Sequence, residues 1–196
     1  MNHLHRLVLP IAAAAMLATP GLAQAPDAAR APVQTLCDGL VAIMKAGKKA
    51  GAAGRAAQIN FDLPLLTRLA VGAEWTKAAP ADRTALIAAM RKLTINQYAA
   101  NFDSWSGQAF VIDPQVETRG TDRVVKTKLT QPKGETVSIA YRLRQSGGDW
   151  RIIDVFYQNS ISQLATRRAD FDAIVRKGGA KALVGHVNAL ADKASR

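Results

Sequence analysis

The stretch GGDWRIIDVFYQNSISQLATRRADF, residues 147–171, carries the strongest signal of the fold. Two glycines provide a turn, and the run 149–158 is rich in β-branched and aromatic residues, which are typical of a buried strand. Helical spacing begins directly afterwards, with Ser160 placed as an N-cap and Gln163 as its partner in a capping box. A strand this apolar, joined at once to a helix that carries two adjacent arginines, predicts one wall of an apolar pocket.

Three further strand candidates precede this one in the chain. They cover residues 108–118, 121–130 and 134–145, and the segments between them contain glycine or proline turn signals. The third alternates most clearly, and its predicted inward face holds Val137, Ile139, Tyr141 and Leu143. Because the connections are short, the four strands are predicted to form a curved antiparallel meander.

Helical periodicity lies on both sides of the strands. A first helix is predicted over about 33–45, a short one after the cap Asp62, and a longer one from Pro80 to about Phe102. After the strands, one helix is expected to stop at Gly178-Gly179 and a last one to cover about 180–193. The order of helices, antiparallel sheet and helices predicts an α+β domain. The Gly-rich segment 46–55 is predicted to be a loop.

The N-terminal segment has the layout of a secretory signal peptide. Residues 1–23 contain an early arginine, a short apolar run and small residues up to Ala23. The alternative is a retained anchor, but the run is short for a bilayer and is interrupted by Pro10. We therefore expect cleavage after about Ala23, a disordered leader at 24–32 and a single domain at 33–196, which implies a periplasmic location.

Charge and composition narrow the possible functions. Without residues 1–23 the chain keeps 25 Lys and Arg against 15 Asp and Glu, a net charge of +10. This charge suits anionic lipid headgroups or an acidic protein, and no nucleic-acid-binding motif accompanies it. The single cysteine, Cys37, cannot form an internal disulfide, and His186 has no neighbouring catalytic or metal-ligand partner in the sequence. The sequence therefore predicts no metal and no cofactor.

One acidic residue lies within an apolar strand, where the pKa of a carboxylate is expected to be shifted. Asp154 lies inside the apolar strand 149–158, so it is a candidate general acid or base in a small-pocket enzyme of the NTF2-like type. The simpler interpretation is a structural ion pair or hydrogen bond, for which Arg167 and Arg168 are nearby candidates. A third hypothesis is an adaptor that binds only protein and has a solid core.

The concave face of the sheet and the helices that cover it are the predicted site. Strand residues, helix residues and tryptophan are expected to enclose one apolar cavity, whose mouth carries Lys and Arg for an anionic headgroup. The predicted lining is Leu66, Leu69, Trp75, Tyr98, Phe102, Val137, Ile139, Tyr141, Ile153 and Val155. Asp154, Ser160 and Arg168 are assigned structural roles.

Several short motifs occur in an order that resembles the MlaC family of toluene-tolerance proteins. They are FDLPLLTRLAVGAEW at 61–75, DWRIIDV at 149–155, Ser162 with Arg168-Ala-Asp-Phe171, and RKGGAKALV at 176–184. The resemblance extends from about residue 33 to the end of the chain. It implies a cystatin-like or NTF2-like α+β cone with an internal cavity, and a periplasmic carrier of lipid between the inner and outer membranes rather than an enzyme.

One segment departs from the usual family pattern. The spacing between Asp154-Val155 and the following helix is one residue longer, and Asn159 occupies a position where glycine is common. The segment QNSISQLATRR at 158–168 resembles the hopanoid-associated HpnM branch more closely. The implied cargo is therefore a phospholipid or a hopanoid. The implied partners are an inner-membrane transporter component of the ABC or RND type and an outer-membrane lipoprotein complex.

Overall fold

The computed structural model describes residues 27–47 and 61–195. In these ranges helices come first, a sheet follows, and a long helix comes last. The helices are α1 Arg30–Ala46, α2 Leu63–Val71, a 3-10 turn Gly72–Thr76, α3 Pro80–Asn101 and α4 Gln163–Ala194. The strands are β1 Ala109–Arg119, β2 Asp122–Thr130, β3 Val137–Ser146, β4 Asp149–Tyr157 and β5 Ile161–Ser162. The α+β prediction is confirmed.

The strands form one antiparallel meander in the order β1-β2-β3-β4-β5. The sequence predicted four strands, and the structure has a fifth. This strand, β5, has two residues: Ile161 pairs with Tyr157 and Ser162 with Phe156. Sequence alternation cannot reveal so short a strand, because two residues show no period. Register shifts interrupt β1 between Ile112 and Val116, and the β3–β4 pair beside Arg142. Such irregularities bend a strand and increase its twist.

One face of the sheet packs against the helices. The buried core joins α1, α2, α3 and α4 to Val125, Tyr141, Leu143 and Ile152 of the central strands. On the opposite face, Asp122 of β2 accepts hydrogen bonds from Arg142 and Arg144 of β3. The alternation predicted for β3 follows from this two-layer arrangement, since its odd-numbered residues face the helices.

Helix α2 begins where the sequence places it. The Asp62 carboxylate accepts a hydrogen bond of 3.0 Å from the Leu65 amide, which satisfies one free N–H of the first turn. Phe61 forms a single parallel bridge with Ile152, and the Asp62 amide donates to the Ile152 carbonyl at 2.9 Å. The start of α2 is therefore fixed to β4.

Helix α4 is sharply bent at Gly179, whose φ of 68° and ψ of −173° are non-helical and accessible almost only to glycine. The Phe171 and His186 rings lie 6.2 Å apart across the bend, whereas fifteen residues of straight helix would separate them by about 22 Å. The two halves therefore pack side by side. This arrangement agrees with the prediction of one helix ending at Gly178-Gly179 and another after it.

The N-cap of α4 is Ser162, so the assignment of Ser160 was wrong. Ser162 Oγ accepts a hydrogen bond of 2.9 Å from the Ala165 amide, whereas Ser160 is exposed in the turn before β5. Gln158 and Asn159 form this turn with φ of 50° and 58°. The chain thus completes a tight hairpin before the helix begins, and this shifts the cap by two residues.

The N-terminal boundary also differs from the prediction. Arg30 already belongs to α1, within the segment 24–32 that was predicted to be a disordered leader. Asp27 accepts from the Ala29 amide at 2.9 Å and forms an ion pair with Arg123 of β2 at 3.2 Å, which holds the helix start on the sheet. The signal peptide at 1–23 and most of the loop predicted at 46–55 lie outside the described residues. No helix in the described ranges is long and apolar enough to cross a membrane.

Candidate functional site

A cavity of about 540 Å³ lies between the helix-facing side of the sheet and helices α2, α3 and α4. The sheet contributes Leu129, Val137, Ile139, Tyr141, Asp154, Val155 and Tyr157. Phe61 and the three helices contribute the rest of the wall: Leu66, Thr94, Gln97, Tyr98, Asn101, Phe102, Gln163, Leu164 and Arg167. This volume lies within the range of sites that enclose small molecules.

Seven of the ten residues predicted for the cavity lie in its wall. They are Leu66, Tyr98, Phe102, Val137, Ile139, Tyr141 and Val155. Their contact with a bound lipid stays a prediction. Leu69 and Trp75 are not in the wall. Leu69 is turned about 60° round α2 from Leu66, and Trp75 packs on the core with the Arg83 guanidinium 5.8 Å from its ring.

Ile153 is the third predicted residue that does not line the cavity. Arg142 pairs with Asp154 and Leu143 pairs with Ile152, so Ile153 is an extra residue without a partner on β3. This bulge interrupts the alternation of β4. Ile153 is buried outside the cavity, whereas the next two residues, Asp154 and Val155, both line it.

Aromatic rings form a continuous row beside the cavity, from Phe61 through Tyr98 and Phe102 to Phe110 of β1. Tyr98 lies 5.7 Å from Phe61 and 5.7 Å from Phe102, measured between ring centroids, and Phe102 contacts Phe110 at 6.2 Å. Tyr98 lies in the last turn of α3 and Phe102 directly follows the helix, four residues later, which brings the two rings together. Phe61, Tyr98 and Phe102 of this row line the cavity.

The inner end of the cavity is strongly desolvated. Burial, and to a smaller extent the nearby Tyr98 and Cys37, raises the pKa of Tyr141 well above its ordinary value. Burial is also the main cause that raises the pKa of Tyr98, and together with the charge of Asp38 it raises the pKa of the Cys37 thiol to about 12. All three groups are therefore neutral at physiological pH; Tyr98 and Tyr141 line the cavity, and Cys37 lies in the core beside them.

Asp154 joins the sheet to α4 and has no ion-pair partner among the described residues. Its Oδ1 accepts hydrogen bonds from the amides of Val155 at 2.7 Å and Leu164 at 3.0 Å, and its Oδ2 accepts from Ser162 Oγ at 2.6 Å. Of the two bonding modes expected for this carboxylate, the structure shows hydrogen bonds rather than a pair with Arg167 or Arg168. Three of its roughly four lone-pair sites are occupied.

The two arginines of α4 lie in different surroundings. Arg168 is exposed at the surface beside Gly72, the residue at the C-terminal end of α2. Arg167 lines the cavity, and its Nη2 donates a hydrogen bond to Gln97 Oε1 on α3. Burial lowers the pKa of Arg167, although Tyr98 and Asp170 oppose this effect. The role of Arg168 stays a prediction of structural support.

The sequence analysis predicted Lys and Arg at the mouth of the cavity but assigned none of the polar residues found in its wall. Gln97 and Asn101 are four residues apart on α3, and Gln163 and Arg167 are four residues apart on α4, so each pair shares one helix face. Their spacing was a usable signal, but only contact between α3 and α4 shows that the pairs meet. Within the described part of the chain, no cluster of three His, Cys, Asp or Glu residues could hold a metal ion.

Comparison with known proteins gives one family and a structural relative. A solved structure of a phospholipid-binding protein from Ralstonia solanacearum, in complex with a phospholipid, matches with a TM-score of 0.74 and 21% identity. The match covers 87% of this chain and 100% of that chain, and at this identity it shows the fold. A search of curated proteins gives no significant match. The family model described as MlaC protein matches residues 34–189, most of the chain, so the chain belongs to the MlaC family.

Proposed function

We propose that this protein is a periplasmic carrier that binds the hydrocarbon part of a lipid in the cavity between the sheet and helices α2, α3 and α4. The observation that carries the proposal is the cavity itself, a space of about 540 Å³ with a largely apolar sheet wall and a row of aromatic rings. Membership of the MlaC family and the structural likeness to a phospholipid-binding protein support it.

The cavity volume sets the amount of hydrocarbon that this conformation holds. At about 30 Å³ for a methylene group, close to the volume per molecule in liquid water, the space accommodates roughly 18 of them, or one long chain. Shielding these groups from water is worth about 14 kcal/mol, at ~0.8 kcal/mol for each methylene. A two-chain phospholipid has more hydrocarbon than this volume holds, so we expect this conformation to enclose one of its two chains.

A bilayer shields hydrocarbon as well as the cavity does, so the protein competes with membranes rather than with water. Net transfer then depends on partners that bind the empty and loaded states differently. We propose an inner-membrane transporter component of the ABC or RND type as one partner and an outer-membrane lipoprotein complex as the other. The cargo is a phospholipid or, if the chain belongs to the HpnM branch, a hopanoid.

The enzyme hypothesis has less support from the geometry. Asp154 reaches the cavity, but both of its oxygens are bound by donors that fix the junction of β4 and α4. A general acid or base must have an atom free to reach the substrate's proton, and His186, the histidine in the described part of the chain, packs against Phe171 instead.

Uptake of lipid from vesicles tests the carrier proposal. The protein, stripped of co-purified lipid, is incubated with phosphatidylglycerol vesicles that carry a radiolabel, and lipid in the protein fraction is counted after the vesicles are removed. We expect uptake by the wild type and a roughly tenfold or greater loss in Ile139→Glu, because a charge within the apolar wall is costly to desolvate.

Val111→Glu provides the matched control. Val111 is 57% exposed on β1, and its neighbours Phe110 and Ile112 are the residues that pack on the core. The same change at this position should leave uptake intact. If Ile139→Glu is folded and takes up as much lipid as the wild type, the cavity is not the binding site.

A further inference from the structure

A strip of polar side chains runs along the helical wall of the cavity, opposite apolar sheet residues. This polar strip consists of Gln97 and Asn101 on α3 and Gln163 and Arg167 on α4. The facing sheet wall contains Leu129, Val137, Ile139 and Val155, together with Tyr141, Asp154 and Tyr157. A ligand that fits both surfaces must be amphipathic, with its polar end near the strip.

Arg167 brings a positive charge into this strip without a carboxylate to balance it. Every Asp and Glu of the chain lies in the described ranges, and none is within 4.0 Å of the Arg167 guanidinium. The acid that shares the cavity wall, Asp154, is held instead by Ser162 and two backbone amides. A partly buried cation of this kind favours an external anion.

The guanidinium also has donors to spare. An arginine has five N–H donors, and among the described residues Arg167 makes one hydrogen bond, to Gln97. That bond fixes the side chain across the gap between α4 and α3. The remaining donors are then available to a group with several acceptor oxygens, such as phosphate or carboxylate.

We propose that Arg167 binds one anionic group at the polar end of the cargo, a phosphate or a carboxylate, and thereby makes the cavity select anionic amphiphiles over neutral ones with the same chain. The inference rests on the proposed carrier function and specifies its substrate class. A neutral lipid would leave the Arg167 charge desolvated and unpaired, whereas an anion restores hydrogen bonds that the guanidinium loses on leaving water.

Three single-chain probes test the inference. Palmitoyl lysophosphatidic acid and monopalmitoylglycerol share their chain and glycerol and differ by the phosphate, and palmitate carries a carboxylate. Equilibrium dialysis below the critical micelle concentration measures the affinity of the delipidated protein for each. We expect the wild type to bind both anionic probes roughly tenfold or more tightly than monopalmitoylglycerol, as charge-assisted hydrogen bonds imply. The stronger of the two anions identifies phosphate or carboxylate as the group recognised.

Two variants test the Arg167 charge by independent routes, one by removing it and the other by neutralising it. Arg167→Gln deletes it, and Gln97→Glu supplies an internal carboxylate that pairs with it. Each should lower affinity for the anionic probes about tenfold and so remove most of the preference for them over monopalmitoylglycerol. If Arg167→Gln fails to fold, as circular dichroism would show, Gln97→Glu decides the question. Arg176→Gln is the control, because Arg176 is exposed on α4 and pairs with Asp172.

The outcomes separate this inference from the carrier proposal. Equal binding of all three probes by the wild type, or an anion preference that survives in both folded variants, would overturn the role of Arg167 and leave the carrier proposal intact. Failure of the wild type to bind any probe would reject the carrier proposal and the inference together.

Discussion

Asp122 and Asp154 are both almost fully buried, with 1% and 3% of their surface exposed. The two carboxylates are stabilised by different kinds of hydrogen-bond donor. Asp122 of β2 binds two arginines of β3: Arg142 Nε at 2.6 Å, and Arg144 through Nε at 2.6 Å and Nη2 at 2.9 Å. Asp154 is held by neutral donors. Asp122 therefore stabilises the sheet through charge, whereas Asp154 fixes the start of α4.

The Asp122 network makes stability depend on pH. Hydrogen bonds from Arg144 and then Arg142 hold the pKa of Asp122 below its ordinary value, although burial opposes them. A depressed folded-state pKa gives stability that is present above the unfolded value, near 3.9, and lost as pH falls through the folded value. We expect Asp122→Asn to lower the free energy of unfolding by about 3 kcal/mol at neutral pH.

Urea unfolding over a pH series measures this effect. The difference in free energy of unfolding between the wild type and Asp122→Asn should shrink as the pH falls from about 5 to about 2. Asp172→Asn, at an exposed ion pair on α4, should stay within about 0.5 kcal/mol of the wild type. If the free energies of unfolding of the wild type and Asp122→Asn change with pH in parallel, the carboxylate charge contributes nothing to the pH dependence of stability.

Individual wall residues could be predicted only where the backbone is regular. Alternation along β3 correctly places Val137, Ile139 and Tyr141 on the cavity side. It fails at Ile153, since a bulge changes which residues face inward, and no residue type in the sequence marks that bulge. Arg167 was missed as a wall residue for a different reason: its position depends on a neighbouring helix about seventy residues earlier in the chain.

At the scale of elements, the junction from Tyr157 to Ser162 decides how α4 meets the sheet. The turn residues Gln158 and Asn159 have positive φ, which glycine adopts more easily, and the Ser160 amide donates to the Tyr157 carbonyl at 3.2 Å. Ser162 then serves both as the N-cap and as the donor to Asp154. The sequence predicted a strand, a turn and a helix capped by Ser160, whereas the hairpin geometry makes Ser162 the cap.

Two serine substitutions test this assignment. Ser162→Ala removes the cap bond to Ala165 and the bond to Asp154, so the free energy of unfolding should fall by about 1–2 kcal/mol. Ser160→Ala changes an exposed turn residue and should stay within about 0.5 kcal/mol of the wild type. Chemical denaturation of both variants provides the comparison. Equal destabilisation, or a larger effect at Ser160, would contradict the assignment.

At the scale of the whole molecule, the helices cover one face of the sheet unequally. Around Leu143 and Ile152 they close on it as solid core, whereas around Ile139 and Val155 they leave a cavity. The sequence predicted the α+β order and the site between sheet and helices. It could not separate core from cavity, because both walls use the same apolar residue types. Leu69 and Trp75 were assigned to the cavity for this reason.

The central claim is that the cavity holds lipid, and the composition of the purified protein tests it most directly. The full sequence is expressed in a Gram-negative host, and the protein is purified without detergent and extracted with organic solvent. Mass spectrometry then identifies and quantifies what is released. We expect a lipid in stoichiometric amount, carrying a phosphate or carboxylate if Arg167 acts as proposed. A protein that releases no lipid, and also takes up none from vesicles, would contradict the account.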